Sequence, residues 1–413
     1  MPKQGQTQIA AGDIGGNAQE PDHGFQNFTR MQIASVLLVG VMSSLIVVLQ
    51  PLLLGPLAAE GRLSLREMGQ TAMLEAFGMA AAIAIGGAFL PPRHLRTISF
   101  SAILLSVGAN IVTTLTQHEI ILAARFVNGL SVGILLWVWT GLVTRVAMPA
   151  RLMAIFLALQ TSGALLVSWL FSAYLMPRVG ASGGYICLAV ATGLAGLLTF
   201  GGPSEYRAHA GSGSKGLLLP SGRGWIGLLA VLCQMAAIMA FWVYVLPLGR
   251  ERGLSTNFVA FAVSASLVAQ IVGAVCASLV HRLHARTALY GSLAASLCGL
   301  ALVVFGQGTS AFVAGLIIIV FFWMFAPAYH MPYLIEVDPS RRAGMQMITA
   351  QLLGLSAGPA VASFVVLDDN VGPALWVSTA LYCASAFFIF VTTASRARAR
   401  NESHIDRAVR GSS

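Results

Sequence analysis

Apolar residues in this chain come in long, nearly unbroken runs, without the strict alternation of a half-buried strand. Twelve runs of helix length stand out, at about residues 31–57, 65–90, 97–116, 118–147, 152–176, 184–200, 225–248, 256–280, 287–306, 311–335, 343–367 and 372–394. Each is long enough to cross roughly 30 Å of hydrocarbon as a helix rising ~1.5 Å per residue. Turn-forming Gly, Pro, Ser and Asn separate them. The widest break, GGPSEYRAHAGSGSKGLLLPSGRG at 201–224, is Gly/Ser-rich and basic, the composition of a linker between two sets of six helices. The pattern predicts an all-α polytopic membrane protein of twelve transmembrane helices in two six-helix halves, 31–200 and 225–394. Residues 1–30 and 395–413 are expected to be a disordered cytoplasmic tail and a basic cytoplasmic tail.

Composition supports the membrane assignment. The chain is 57% hydrophobic and only 9% charged, where a soluble domain carries about 25% charge. The net charge of +9 does not point to nucleic acid, because the basic residues sit in short clusters between apolar runs. Of the 24 Lys and Arg, 18 fall on the side of the two termini and five on the other, with Arg125 inside a span. That bias predicts cytoplasmic termini in a plasma or bacterial inner membrane. The N-terminal stretch has no signal-peptide pattern, and the first apolar run lacks a small-residue cleavage site. The five cysteines all lie in apolar runs without CxxC or His partners and read as buried free thiols. No cofactor or metal is expected.

The two halves also echo each other. Pro56, Glu60 and Ser64 recur as Pro247, Glu251 and Ser255, each 191 residues later. Arg151, Gln160 and Gly163 recur as Arg342, Gln351 and Gly354, again 191 later, and His94 and Arg96 as His284 and Arg286, 190 later. The sets keep chain order and nearly one spacing, which indicates a parallel internal repeat.

On these residues the chain resembles the major facilitator superfamily. The fourth run contains RFVNGLSVG, similar to the family's Arg-x-x-x-Gly-x-x-x-Gly pattern through Arg125, Gly129 and Gly133. GRLS after the first run and RGLS after the seventh resemble its Gly-Leu-Ser loops. The second-to-third loop, GAFLPPRHLR, keeps Arg93 and Arg96 but has Pro91 in place of the family's Asp and His94 in place of a Gly. The eighth-to-ninth loop keeps Arg282 and Arg286 and has His281 at the acid position. These four arginines are the expected cytoplasmic gate and loop residues. Neither the drug-antiporter Gly-Pro-x-x-Gly-Gly of the fifth span nor the sugar-porter Pro-Glu-Ser-Pro-Arg is present. The resemblance implies a monomeric transporter of small solutes, working by alternating access around a cavity lined by spans one, four, seven and ten.

Few polar residues interrupt the runs, and each is a candidate. Ser64 and Glu67 are spaced as a capping box, which places Glu75 about 15 Å down the second helix, near mid-membrane. A carboxylate at that depth is costly and marks a functional hypothesis, here proton coupling, against a structural ion pair as the plain alternative. Thr116 and Glu119 have the same spacing and put Arg125 at matching depth on the fourth helix, so Arg125 is its expected partner or a direct ligand for a substrate carboxylate. Gln160 and Gln351 lie at mid-depth as repeat counterparts, and Gln234 at mid-depth on a cavity span. Gln50 reads as marking the exit of the first span from lipid. Trp137, Trp242 and Tyr329 belong to an aromatic enrichment on the same spans, consistent with an aromatic or amphipathic substrate or with lipid contact. His330, between Pro327 and Pro332, is a candidate gate or proton site or a packed neutral ring.

The expected partners are therefore a small organic solute, protons and lipid. Proton-coupled uptake of an organic anion leads, and proton-antiport export of an amphipathic compound is the alternative. An intramembrane enzyme has no HExxH, GxSxG or paired Asp motif to support it. A membrane sensor would need an output domain that the short tails do not supply.

Overall fold

The structure is a computed structural model that describes residues 26–146, 149–207, 219–280, 283–340, 342–367 and 370–410. Among these residues twelve helices are long and apolar enough to cross a membrane. The first six are Arg30–Ala59, Leu65–Gly87, Leu95–Leu115, His118–Val143, Ile155–Leu175 and Arg178–Gly201. The second six are Gly222–Trp242, Thr256–Leu279, Ala285–Phe305, Gly308–Phe325, Met347–Val365 and Gly372–Thr393. They are called the first to twelfth spans below. Most of the expected N-terminal tail and linker, and also Arg282, lie outside the described residues.

Local signals explain several helix starts. Ser64 caps the second span, taking the Glu67 N–H at 3.2 Å while Glu67 Oε2 takes the Ser64 N–H at 2.7 Å. Ser255 caps the eighth span by accepting the Phe258 N–H at 3.3 Å, without a returning bond. The capping box expected at Thr116 and Glu119 does not form. Thr116 Oγ1 bonds back to Val112 O at 2.7 Å, ending the third span, and the fourth begins at His118. Its start is anchored across the loop: the His118 N–H donates to Arg62 O, and His118 Nδ1 lies 3.0 Å from Glu67 Oε2. Two spans are broken. The seventh ends at Trp242 and resumes as Val245–Glu251, and the tenth stops at Phe325 and continues from Pro327 to Val337, where the proline removes a helix donor.

The repeat is expressed in hydrogen bonds. Glu60 Oε1 accepts from the Ala181 N–H at 2.8 Å, at the start of the sixth span, and Glu251 Oε1 accepts from the Val371 N–H at 2.6 Å, at the start of the twelfth. Arg62 Nη2 donates to Thr116 O at 2.8 Å and to Thr113 O, while Arg252 donates to Val304 O at 2.6 Å and Gly306 O at 3.2 Å. Each half thus closes one helix N-terminus with a carboxylate and one C-terminus with a guanidinium, matching both ends of the helix dipole. The order is Gly-Arg in the first half and Arg-Gly in the second, so the arginine match is invisible at the offset of 191. Arg62→Ala and Arg252→Ala are each expected to cost about 2 kcal/mol, the range for hydrogen bonds to charged groups. Thermal unfolding in detergent checks this, and a shift in only one of the two variants would contradict the equivalence.

The thiols are free, as expected, but only Cys233 is buried: Cys187 and Cys276 are half-buried, and Cys298 and Cys383 are exposed on helix surfaces, where the apolar side chains around them are those of a lipid-facing wall. A continuous apolar run does not say which of its residues face inward.

The halves meet on the face away from the termini. Trp242 Nε1 donates to Val48 O at 3.3 Å, Arg66 Nε to Ser363 O at 3.3 Å and Ser356 Oγ to Met73 O at 3.1 Å. Ser172, in a π-turn at the end of the fifth span, meets Ser264 Oγ at 2.9 Å and Ala260 O at 3.2 Å. Leu246 packs on Gly55. The largest apolar cluster runs through both halves, whereas the cluster of Leu37, Trp139, Leu142, Phe156 and Tyr206 at the termini end belongs to the first half alone. The far face is closed.

Candidate functional site

The second and fourth spans cross at glycines. A Cβ on Gly129 would collide with the carbonyl of Glu75, and one on Gly133 would lie 2.5 Å from Met79 O. Close backbone approach through a small-xxx-small stripe is how helices associate where no hydrophobic drive separates them from lipid. Arg125 and Asn128 lie one turn before and beside that crossing, so both reach the second span at one place. Arg125 Nη1 is 3.4 Å from Glu75 Oε1, and Asn128 Nδ2 donates to the same oxygen at 2.8 Å. Ser106 Oγ on the third span donates to Asn128 Oδ1 at 2.7 Å, which fixes the amide orientation. The pair is enclosed, with Arg125 0% and Glu75 1% exposed.

Two further groups surround it. The Arg125 guanidinium stacks over the Tyr185 ring at 4.9 Å, a cation–π contact from the sixth span. Gln50 lies beside the Glu75 carboxylate and is fully buried, so its role is not to mark an exit into the headgroups. Part of the cluster is unpartnered: Arg125 Nε and Nη2 and the Tyr185 hydroxyl make no hydrogen bond. Nε and Nη2 form one edge of the guanidinium fork, the geometry that binds a carboxylate with two parallel bonds.

In the second half three of the candidates come together. His330 is fully buried; its Nε2 is 3.1 Å from Gln234 Oε1, and its Nδ1 is 3.0 Å from Gln351 Nε2. Those partners suit a neutral ring with its proton on Nε2, given the amide orientations assigned. The triad joins the seventh, tenth and eleventh spans just past the break at Ala326. Gln351 is its half-exposed member.

The remaining candidates are placed as follows. Gln160 is half-buried and apart from both clusters. Trp137 packs over Gly86, within the first half. Tyr329 donates to Val280 O at 2.8 Å and stacks near Phe325, closing the eighth span's end. Trp242 is fully buried against Trp323, ring centroids 5.2 Å apart, and its one polar atom serves the far-face closure. Trp242→Phe removes that bond, worth about 1 kcal/mol, while keeping an aromatic ring, though a smaller one, against Trp323. It is expected to raise labelling of a far-face reporter cysteine about fivefold. Unchanged labelling would show that this contact does not hold the face shut.

At the termini face, Arg96 Nε donates to Gly202 O at 2.8 Å and Arg93 is exposed. Arg286 Nη2 lies 3.1 Å from Glu336 Oε1, with His284 Nε2 at 3.5 Å from the same oxygen. The acid missing from the eighth-to-ninth loop is thus supplied by the end of the tenth helix. Arg282 lies outside the described residues.

Asn128, Ser106 and Tyr185 were not singled out in the sequence. Asn128 carried a signal, three residues after Arg125 and hence on its helical face. Ser106 and Tyr185 carried none, since a lone hydroxyl in an apolar run usually bonds its own helix.

A model of the Major Facilitator Superfamily matches residues 33–363. Among solved structures, the chain is similar to the nucleoside transporter NupG at 12% identity and a TM-score of 0.66, covering 89% of this chain and 99% of that one. It is similar to a D-xylose–proton symporter at 16% identity and a TM-score of 0.65, covering 87% and 95%. A bacterial homologue of the human lysosomal transporter Spinster, in an inward-facing and occupied conformation, matches at 12% identity and a TM-score of 0.60, covering 88% and 95%. Comparison with curated proteins returned no match.

Proposed function

Because the chain belongs to the major facilitator superfamily and is a transporter of a small solute, we propose that it is a proton-coupled symporter of a small organic anion, with Glu75 as the group that takes and releases the proton. The observation that carries this reading is the position of the second span. One face presents Glu75 to Arg125 and Asn128, while Gly69 and Met73 meet the eleventh span in the far-face closure. A change in charge at Glu75 therefore bears on the helix that seals the far side. The lysine and arginine bias supports a cytoplasmic position for the termini face.

With Glu75 ionised, its charge is balanced by Arg125 and the crossing stays tight. With Glu75 protonated, Arg125 is left with an uncompensated charge and an unpartnered edge, which attracts an anion. An acidic substrate and a proton then travel together because each removes the cost of the other. The triad of Gln234, His330 and Gln351 suits the neutral part of such a substrate, with hydrogen bonds from amides and an uncharged ring. Nothing in this scheme requires a second copy of the chain.

The test has two steps. Thermal stabilisation across aromatic acids, sugars and amphipathic cations identifies a ligand; a hit among acids that vanishes in Arg125→Ala supports the anion reading. Uptake into vesicles under an imposed pH gradient then gives the sign of coupling. Accumulation toward the alkaline side supports symport. Accumulation of an amphipathic cation toward the acidic side would make the protein an antiporter and overturn the proposal.

A further inference from the structure

We infer that Glu75 exchanges its proton with the termini face through the interior of the first-half bundle, by a route separate from the space between the halves. This rests on the proton-coupling reading of Glu75 and supplies what that reading lacks, a path for the proton.

Two cavities are stacked inside the bundle of the first, third, fourth and sixth spans. One, with room for about one water, is lined at mid-depth by the polar groups Ser43, Ser106, Asn110, Asn128 and Thr192. The other, of similar size, lies toward the termini face and is lined by Ser35, Ser99, Thr199 and, at its mouth, Arg96. The third span presents both sets on one stripe, Ser99 below and Ser106 and Asn110 above, with Ala102 and Ile103 between. Ala102 and Ile103 cluster with Val39 and Leu135. These four side chains form an apolar septum one layer thick.

Polar side chains in the core of a membrane bundle need a reason. Here the upper cavity ends on Asn128, which bonds the Glu75 carboxylate directly, and Asn110 Oδ1 is buried without a hydrogen-bond partner. An unpartnered acceptor in a cavity of hydroxyls and amides is the setting in which ordered water is held. Asn128 stands between this cavity and Glu75 and its amide relays no proton, so the proton leaves the Glu75 carboxyl when a cavity water displaces Asn128 Nδ2 from Oε1; it then crosses the septum on a transient water and leaves by Ser99 and Arg96 to solvent. The carboxylate stays behind beside Arg125. The charged or titratable groups that face Glu75 are Arg125 on the fourth span and Tyr185 on the sixth. No titratable group from the eleventh span reaches it among the described residues.

The test needs no substrate. The full-length protein in nanodiscs at acid pH is pulsed with D2O, and the protonated carboxyl band that Glu75→Gln removes is followed by infrared spectroscopy. Ala102→Leu, which fills the septum, is expected to slow exchange of that band about tenfold, and Ile103→Ala to speed it by a similar factor, each equal to about 1.4 kcal/mol in barrier. Asn110→Leu is expected to slow it as Ala102→Leu does. Opposite changes from two septum variants cannot come from a general loss of structure. Exchange at the parental rate in all three variants overturns the route while leaving Glu75 as the coupling group. If Glu75→Gln removes no carboxyl band at any pH the protein tolerates, the coupling reading itself fails.

Discussion

Vesicles containing Glu75→Gln are expected to show no accumulation of substrate under a pH gradient, while exchange of substrate across the membrane persists. One coupled proton supports about tenfold accumulation per pH unit, since one unit corresponds to ~1.4 kcal/mol; the variant should fall to a ratio of one. The neutral amide keeps the shape of the side chain and can still accept from Asn128 Nδ2, so the loss reports on charge and not on packing. Stability should fall as well, by about 3–5 kcal/mol, because a buried guanidinium loses its counter-charge. Arg125→Met in the same chain is expected to restore most of that stability and none of the coupling. A double variant no more stable than Glu75→Gln would mean that the two groups are not energetically paired. Unchanged accumulation in Glu75→Gln would remove the carboxylate from the coupling mechanism.

Gly129→Ala is expected to be as damaging without touching any charge. Its new Cβ would overlap the Glu75 carbonyl, part of a helix backbone that cannot rotate away. Overpacking of this kind costs about 1–3 kcal/mol, and the alternative, a spreading of the two helices, lengthens a Glu75–Arg125 contact that already stands at 3.4 Å. Both lower melting temperature and steepness of the pH response are expected to drop. Gly108→Ala is the control. It lies in the interior of the third span with nothing near its added Cβ, and helix propensity alone predicts a gain of about 1 kcal/mol. If the two substitutions had the same sign, the close crossing would not be what sets the position of Glu75.

Much of the architecture was legible in the chain. The twelve apolar runs and the Ser64–Glu67 cap depend on neighbours a few residues apart, and local patterns record local forces. Boundaries moved where tertiary contacts took over. The sixth span starts earlier than its apolar run suggests, because Glu60 holds the Ala181 N–H. The seventh ends earlier, at Trp242, in the turn that leads to Tyr244. The fourth span starts without the cap that its Thr and Glu spacing implied, since Glu67, 51 residues away in sequence, anchors His118 instead.

What the sequence alone determined was depth: Glu75 and Arg125 each lie a countable number of residues from a helix end, and a rise of ~1.5 Å per residue converts that count into position. Azimuth was beyond it, because in an apolar environment no hydrophobic contrast distinguishes a helix face that meets protein from one that meets lipid. Only the tertiary structure could decide that Cys298 faces outward, that Gln50 is sealed beside the carboxylate, and that Gln234, His330 and Gln351, far apart in the chain, form one network. The physical reason is the same in each case. Which side chains meet is settled by backbone crossings such as that at Gly129, and a crossing belongs to two segments at once.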